Sequence, residues 1–361
     1  MKSNRNLLLF LIFCTIFIFS TPQTSQPCTT FSLVHGNLRI FGKNYDWSFL
    51  GDGLVIVNKR GVLKTAIKFK EEIGQPASWT SKYGSVTFNQ YGREIPMGGM
   101  NEAGLVVEMM ALEIAEYPVP DSRPYISSLQ WIQYQLDNFH RVEEVIASDS
   151  QIRIPPTHYG PGTHYLVSDK AGDCASIEFL DGKMVLHTRE TMPVKVLANS
   201  SYAASVKFWE KATTLPSDHY TDSLYRFTRA ANMVRNYDPK TSKSAVHYAF
   251  DILKNVADGY RTRWSIVYDI NNSCIFFQTD GNSKLRHICL KRLDFSCKTP
   301  VKVLDINAAL SGDVTDNFLD YTKQINRKLV GNAYKKTYFM DKTEEKIDRI
   351  SRYPESTVCT Q

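Results

Sequence analysis

Cys28 heads a short β-type stretch, Cys28-Thr29-Thr30-Phe31-Ser32-Leu33, that follows an apolar run and a polar spacer. A cut at Pro27–Cys28 would put a thiol and a free α-amino group on one residue. An α-amine has an ordinary pKa of about 7.7 to 8.0, near enough to neutrality to take a proton from a thiol without a separate histidine. Such a residue is a nucleophile with its own general base. A thiol works as thiolate, and nearby cations favour that form. Phe41-Gly42-Lys43-Asn44-Tyr45-Asp46-Trp47 offers a cation, Lys43, and a carboxylate, Asp46, one strand away. Strand alternation sets Lys43 and Tyr45 on one face and Asn44 and Asp46 on the other. A bulge or strand end must therefore intervene if both serve the thiol. On local composition alone, a turn-capping Asp46 and a solvated Lys43 are the commoner outcome. A thiol protease with a catalytic histidine would need one of the eight histidines beside Cys28, and nothing in the sequence nominates one.

The elements that must position these residues follow from periodicity. Apolar alternation broken by His35-Gly36-Asn37 predicts a first hairpin, and a second is expected around Arg60-Gly61, joining 54–57 to 65–69. Further strands are expected over 85–92, 104–110, 163–168, 174–180, 183–188 and 194–199. Helices are expected over 129–139, capped by Ser127 or Ser128, and over 142–148, 225–237 and 243–257. A last hairpin, 264–269 with 274–279, turns at Asn271-Asn272, and a strand near 285–290 precedes a charged helical tail from Asp313. Blocks of strands alternating with blocks of helices suggest two packed sheets with helices outside.

The chain has 361 residues, 43% of them hydrophobic, which is ordinary for a packed protein. Its net charge of +6 would fall to +4 without Lys2 and Arg5, and the remaining cations are dispersed. That pattern gives little reason to expect nucleic-acid binding. Lys2 and Arg5 precede the apolar run Leu7–Phe19, and a polar segment leads to Pro27, the layout of a secretory signal. Thirteen apolar residues fall short of the roughly 20 that span a bilayer. Residues 1–27 are thus expected to be a signal peptide with a short pro-segment, and 28–361 one domain, exported and not inserted in a membrane. Signal peptidases favour small residues before the cut, so Ser20 or Ser25 suits them better than Pro27. Freeing Cys28 needs a second trimming step, such as attack of the thiol on its own upstream carbonyl.

Besides Cys14 in the signal, six cysteines remain. If Cys28 is reserved for chemistry, at least one of the other five is unpaired; bridges Cys289–Cys297 and Cys297–Cys359 are both open. No C-x-x-C pair is present, which argues against structural zinc.

Seven ordered pieces resemble the choloylglycine hydrolase and penicillin V acylase family. They are Cys28-Thr29-Thr30-Phe31, the 41–47 segment, Gly99–Leu105, His164–Asp169 with Cys174–Phe179, Val196–Ser200, Tyr225–Ala230 and Thr262–Asp269. The resemblance runs from Cys28 to about Leu290. It implies an α+β fold, the four-layer α/β/β/α sandwich of N-terminal nucleophile hydrolases, and cleavage of a linear amide through an acyl-thioester without any cofactor or metal. It makes Cys28 nucleophile and, through its amine, base; Asp46 would hold that amine, Asn199 would donate to the oxyanion, and Arg226 would supply positive charge behind the thiol. The resemblance further implies a small N-acyl amide substrate and a homo-tetramer. Two departures stand out. Lys43 replaces the usual arginine, keeping the charge and losing the planar fork. Met110 or Ala111 stands where bile-salt-type members carry an asparagine oxyanion donor, so a backbone group and a different substrate preference are expected there, with Lys43, Met110 and Ala111 as substrate-binding candidates. The rival from another class is a secreted binding protein on the same scaffold, never cut at Cys28 and catalytically silent.

Other residues have competing readings. Asn199-Ser200-Ser201 and Asn271-Asn272-Ser273 are also glycosylation sequons. Asn101 reads as a turn former, His164 as a hydrogen-bonded core residue, and Trp79, Tyr83, Met109, Met110 and Trp264 as core or acyl-pocket lining.

Overall fold

The computed structural model describes residues 27–48, 51–68, 72–156, 161–212, 222–241 and 244–360. The signal expected over 1–27 therefore lies, except for Pro27, outside the described residues. The chain opens with β1 (Thr29–His35) and β2 (Leu38–Asp46). It continues through β3 (Leu54–Asn58), β4 (Val62–Thr65), β5 (Ser78–Thr80), β6 (Ser85–Asn89), β7 (Gly98–Asn101) and β8 (Val106–Ala111). Helices α1 (Ser128–Asn138) and α2 (Val142–Ala147) precede β9 (Thr163–Ser168), β10 (Cys174–Leu180), β11 (Lys183–Thr188) and the short β12 (Val196–Leu197). Then come α3 (Tyr202–Lys211), α4 (Ser223–Arg235) and α5 (Ala245–Asn255), followed by β13 (Thr262–Asp269), β14 (Cys274–Thr279) and β15 (Arg286–Cys289). The last elements are β16 (Lys302–Asp305), β17 (Gly312–Asp313), β18 (Leu319–Asp320), α6 (Lys323–Lys336), α7 (Glu344–Arg352) and β19 (Val358–Cys359).

Two large, mostly antiparallel sheets form the centre. One runs β12-β1-β2-β13-β14-β15-β17, the other β11-β10-β9-β8-β7-β6-β3-β16-β18. Their inner faces meet through Phe88, whose ring lies 6.3 Å from Tyr268 and 5.7 Å from Phe277, and through Ser32 against Ser168 at 3.1 Å. Helix α1 covers the second sheet, where Trp131 stacks 4.3 Å from Tyr165. Helices α4 and α5 cover the first, where Asn44 Nδ2 donates to Leu253 O at 2.7 Å. This is the α/β/β/α sandwich.

The expected hairpin around Arg60-Gly61 is not formed. β3 pairs with β6 and β16 in the large sheet, whereas β4 leaves for a separate three-stranded sheet with β5 and β19. The reason lies in burial: Leu54–Asn58 is buried along its whole length and belongs inside a sheet covered on both faces, while Val62–Thr65 alternates buried and exposed. Helix α3 escaped the sequence reading because Tyr202–Lys211 buries only Tyr202 and Ser205 and has a weak apolar stripe. Cys297 is bonded to Cys359, fixing the chain's end; Cys289 instead faces Cys274 across β14 and β15.

Candidate active site

Cys28 sits at the entrance to β1 and is 2% exposed. Register with β2 brings it beside the end of that strand, and its Sγ lies 3.8 Å from Asp46 O. Helix α4 comes from the other side. Its N-terminus is fixed by Asp222, whose side chain accepts from Leu224 N, and one turn later Arg226 points into the sheet end. Arg226 Nη1 donates to Cys28 O and to Thr29 Oγ1, both at 2.6 Å, and Nη2 donates to Asn199 Oδ1 at 2.9 Å. Asn199 follows β12, the strand paired with β1. Its Nδ2 donates to Ala111 O at 2.9 Å, and its backbone N–H donates to Ser223 Oγ at 2.9 Å. With its oxygen committed to Arg226, the Asn199 amide is oriented, and an NH₂ group has a second hydrogen to give.

Asp46 ends β2. Of the two devices that alternation allowed, a bulge or a strand end, β2 shows the strand end; a register shift lies on the neighbouring strand, β13, between Thr262 and Trp264, opposite Asp46 and Tyr45. Asp46 sits in a fully buried niche in which neither carboxylate oxygen has a well-formed hydrogen bond among the described residues. Burial pushes the Asp46 carboxyl up to about 7, against smaller opposing effects of Arg226 and of the nearby Thr262 hydroxyl. Burial also raises the Cys28 thiol; Lys43 opposes this, Asp46 adds to it, and Arg226 opposes it.

Lys43 is not solvated. It is 1% exposed and reaches across to the second sheet, where Nζ donates to Met109 O and stands 3.9 Å from Glu108 Oε2. Tyr268 donates to the other Glu108 oxygen, and burial, partly offset by Lys43 and Tyr268, lifts the Glu108 carboxyl to about 7. Gly98 lies directly opposite Glu108. A Cβ there would stand 2.1 Å from the carboxyl carbon, so only glycine leaves room for this pose.

Cys28, Asp46, Asn199, Arg226 and, through its carbonyl, Ala111 are therefore brought to one place, with Lys43 reaching between the sheets. Met110 is wholly buried opposite His164 and exposes no surface. His164 is a core residue, as expected: Nε2 donates at 2.7 Å to the carbonyl of Ala198, just before Asn199 in the chain, and Nδ1 meets Glu178 at 2.9 Å. Asn101 is a turn former, accepting from Ala103 N and Leu105 N. Trp264 is fully buried, and Trp79 donates to Asp137 at 2.7 Å within the core. Thr29, Ser223 and Glu108 were missed by sequence reading; only the Asp222-Ser223 helix-start pair carried a usable signal. Cavities of about 760 Å³ under α3 and α4 and about 350 Å³ beside α6 are not lined by Cys28. Among the described residues no group of three or more His, Cys, Asp or Glu side chains could hold a metal ion.

The Asp46 niche carries a prediction. In the uncut chain its carboxyl keeps a proton up to about pH 7, whereas unfolded it would lose it near the ordinary 3.8. The native state then binds more protons in that window, so this stabilisation is full below pH 3.8 and is lost as pH rises to about 7. The contribution is on the order of 4 kcal/mol. Asp46→Asn in the uncut chain should remove this part of the pH slope and raise the urea midpoint at pH 8. An unchanged slope would show that Asp46 is already ionised.

Residues 28–218 match the choloylglycine hydrolase family of linear amide C–N hydrolases, more than half of the chain. The chain belongs to this family and is an amide hydrolase. Penicillin V acylase of Pectobacterium atrosepticum is 29% identical over 263 residues, covering 60% of this chain and 69% of that relative. The structure of penicillin V acylase from Agrobacterium tumefaciens matches with a TM-score of 0.69 and 28% identity, over 82% of this chain and 98% of that one. A variant of the conjugated bile acid hydrolase from Clostridium perfringens matches with a TM-score of 0.64 over 79% and 98%; at 20% identity that likeness shows the shared fold.

Proposed function

We propose that this chain is exported, is trimmed to begin at Cys28, and hydrolyses an N-acyl amide through an acyl-thioester on that residue. The observation that carries the reading is the chain of hydrogen bonds from Cys28 O through Arg226 to Asn199, which holds a thiol, an oriented amide donor and a buried carboxylate at one sheet end. The freed α-amine takes the thiol proton, and sulfur attacks the amide carbonyl. Asn199 Nδ2 donates to the oxyanion, and the ammonium returns the proton to the departing amine. Water, deprotonated by the same amine, then attacks the thioester, releasing the acid and restoring the thiol. Asp46 is the counter-ion for the ammonium, which supplies the hydrogen bonds its oxygens lack while Pro27 is attached. Lys43 and Arg226 bias the buried sulfur toward thiolate. Apolar or aromatic acyl groups are the proposed substrates, phenoxyacetyl amides first, because the relatives near 28–29% identity are penicillin V acylases. Bile-salt conjugates, N-acyl homoserine lactones and N-acyl ethanolamides form the rest of the test panel. We place the working form as a homo-tetramer outside any membrane; among the described residues no helix is long and apolar enough to cross one.

The test is intact-mass measurement of the exported protein beside an assay on chromogenic N-acyl amides. Material beginning at Cys28 should be active, and chain still joined at Pro27 inactive. Equal turnover with Pro27 attached would overturn the mechanism and leave the amine without a role.

A further inference from the structure

We propose that Cys274 and Cys289 form a second disulfide. They are directly opposed on the antiparallel strands β14 and β15, and their sulfurs stand 2.7 Å apart, closer than two unbonded sulfurs rest. Directly opposed residues of an antiparallel pair have Cα atoms about 4.5 or 5.5 Å apart, and both spacings lie inside the range a disulfide spans. No backbone movement is needed to close the bond. Both thiols are half-buried, within reach of a small oxidant, unlike the fully buried Cys174.

The oxidant is a low-molecular-weight disulfide. Cys289 thiolate attacks one of its sulfurs, forming a mixed disulfide and expelling one thiol. Cys274, after losing its proton, attacks the Cys289 sulfur and expels the second. Two protons leave the protein and two electrons pass to the oxidant.

The bond has two consequences. It staples β15, which lies between β14 and β17, to the β13–β14 hairpin, whose first strand carries the register shift opposite Asp46. With Cys297–Cys359 already bonded and Cys174 sealed in the core, no accessible thiol remains among residues 274–359 to exchange with Cys28. This second consequence rests on the proposed role of Cys28; the pairing does not.

Peptide mapping of the full-length protein tests it. The folded chain is equilibrated with oxidised and reduced glutathione, denatured, alkylated without reduction and cut with trypsin, which separates the two cysteines into peptides 264–284 and 287–291. The expected result is a joined peptide lighter by two hydrogens than the reduced pair, with alkylation of both cysteines at least roughly tenfold below a reduced control. Cys274→Ser should restore alkylation of Cys289. Full alkylation of both in the equilibrated wild-type protein, or Cys289 joined to any other cysteine, would overturn the proposal. Because the wild-type map decides, misfolding of the variant leaves the test intact, and because it reads mass rather than turnover, an inactive Cys28 leaves it intact too.

Discussion

Cys28→Ala leaves a folded protein whose kcat is lower by roughly 10⁴-fold or more, the scale on which loss of a covalent nucleophile is felt. The fold survives because the side chain's recorded polar contact is a long one, 3.8 Å to Asp46 O, while the bonds anchoring the residue run from Arg226 to its backbone carbonyl and to Thr29. Cys28→Ser keeps nearly the same shape and should lose nearly all turnover as well, since an amine with a pKa near 8 is a poor base for an alcohol. Circular dichroism and the urea midpoint check the fold, and steady-state rates on a phenoxyacetyl amide check the chemistry. A Cys28→Ala protein within tenfold of wild type would sink the mechanism outright.

Asn199→Ala should lower kcat by about 10² to 10³-fold, or 2.7 to 4 kcal/mol, with KM little changed, because the donor is used where charge develops and not where the substrate rests. The same substitution strips partners from Arg226 Nη2 and Ala111 O, so stability should fall by about 1 to 3 kcal/mol. Asn199→Asp divides the two bonds. It preserves the one from Arg226, sets a carboxylate oxygen against Ala111 O where the donor stood, and places negative charge against the oxyanion, so stability should still fall while kcat stays low. Arg226→Met removes the bond that orients Asn199 together with those to Cys28 O and Thr29, and the double variant should be scarcely slower than Arg226→Met alone. Full additivity would mean that Arg226 does not act by orienting Asn199. A rise in KM with kcat unchanged in Asn199→Ala would make Asn199 a ground-state contact instead.

Local pattern located most of the elements that carry these residues. Strands 163–168, 174–180 and 183–188 form with the bounds that alternation predicts, and the capped helix after Ser127 forms where its hydroxyl meets Gln130 N. α4 begins two residues before its expected start, because Asp222 is the cap that apolar periodicity cannot see. Residue type and local spacing point to Cys28 as a nucleophile and to Asp46 and Lys43 as its charged neighbours, chemistry that one-dimensional information holds. The roles of Asn199 and Arg226 come only from the resemblance of motifs ordered along the chain.

Tertiary structure alone decided which face of each strand meets a partner. Alternation put Lys43 and Asp46 on opposite faces and could not say that one would be sealed between two sheets beside Glu108 while the other, at the end of its strand, would sit in a buried niche whose carboxylate oxygens have no well-formed hydrogen bond among the described residues. Likewise 54–57 and the strand after Arg60-Gly61 looked like a hairpin, and burial on both faces drew the first into the large sheet. The bond from Arg226 to Cys28 O joins residues 198 positions apart, and the one from Asn199 to Ala111 O joins residues 88 apart. Period-two and period-3.6 patterns report only which side of an element is apolar. What lies across from that side is settled by how the sheets and helices pack, and that is a property of the folded chain as a whole.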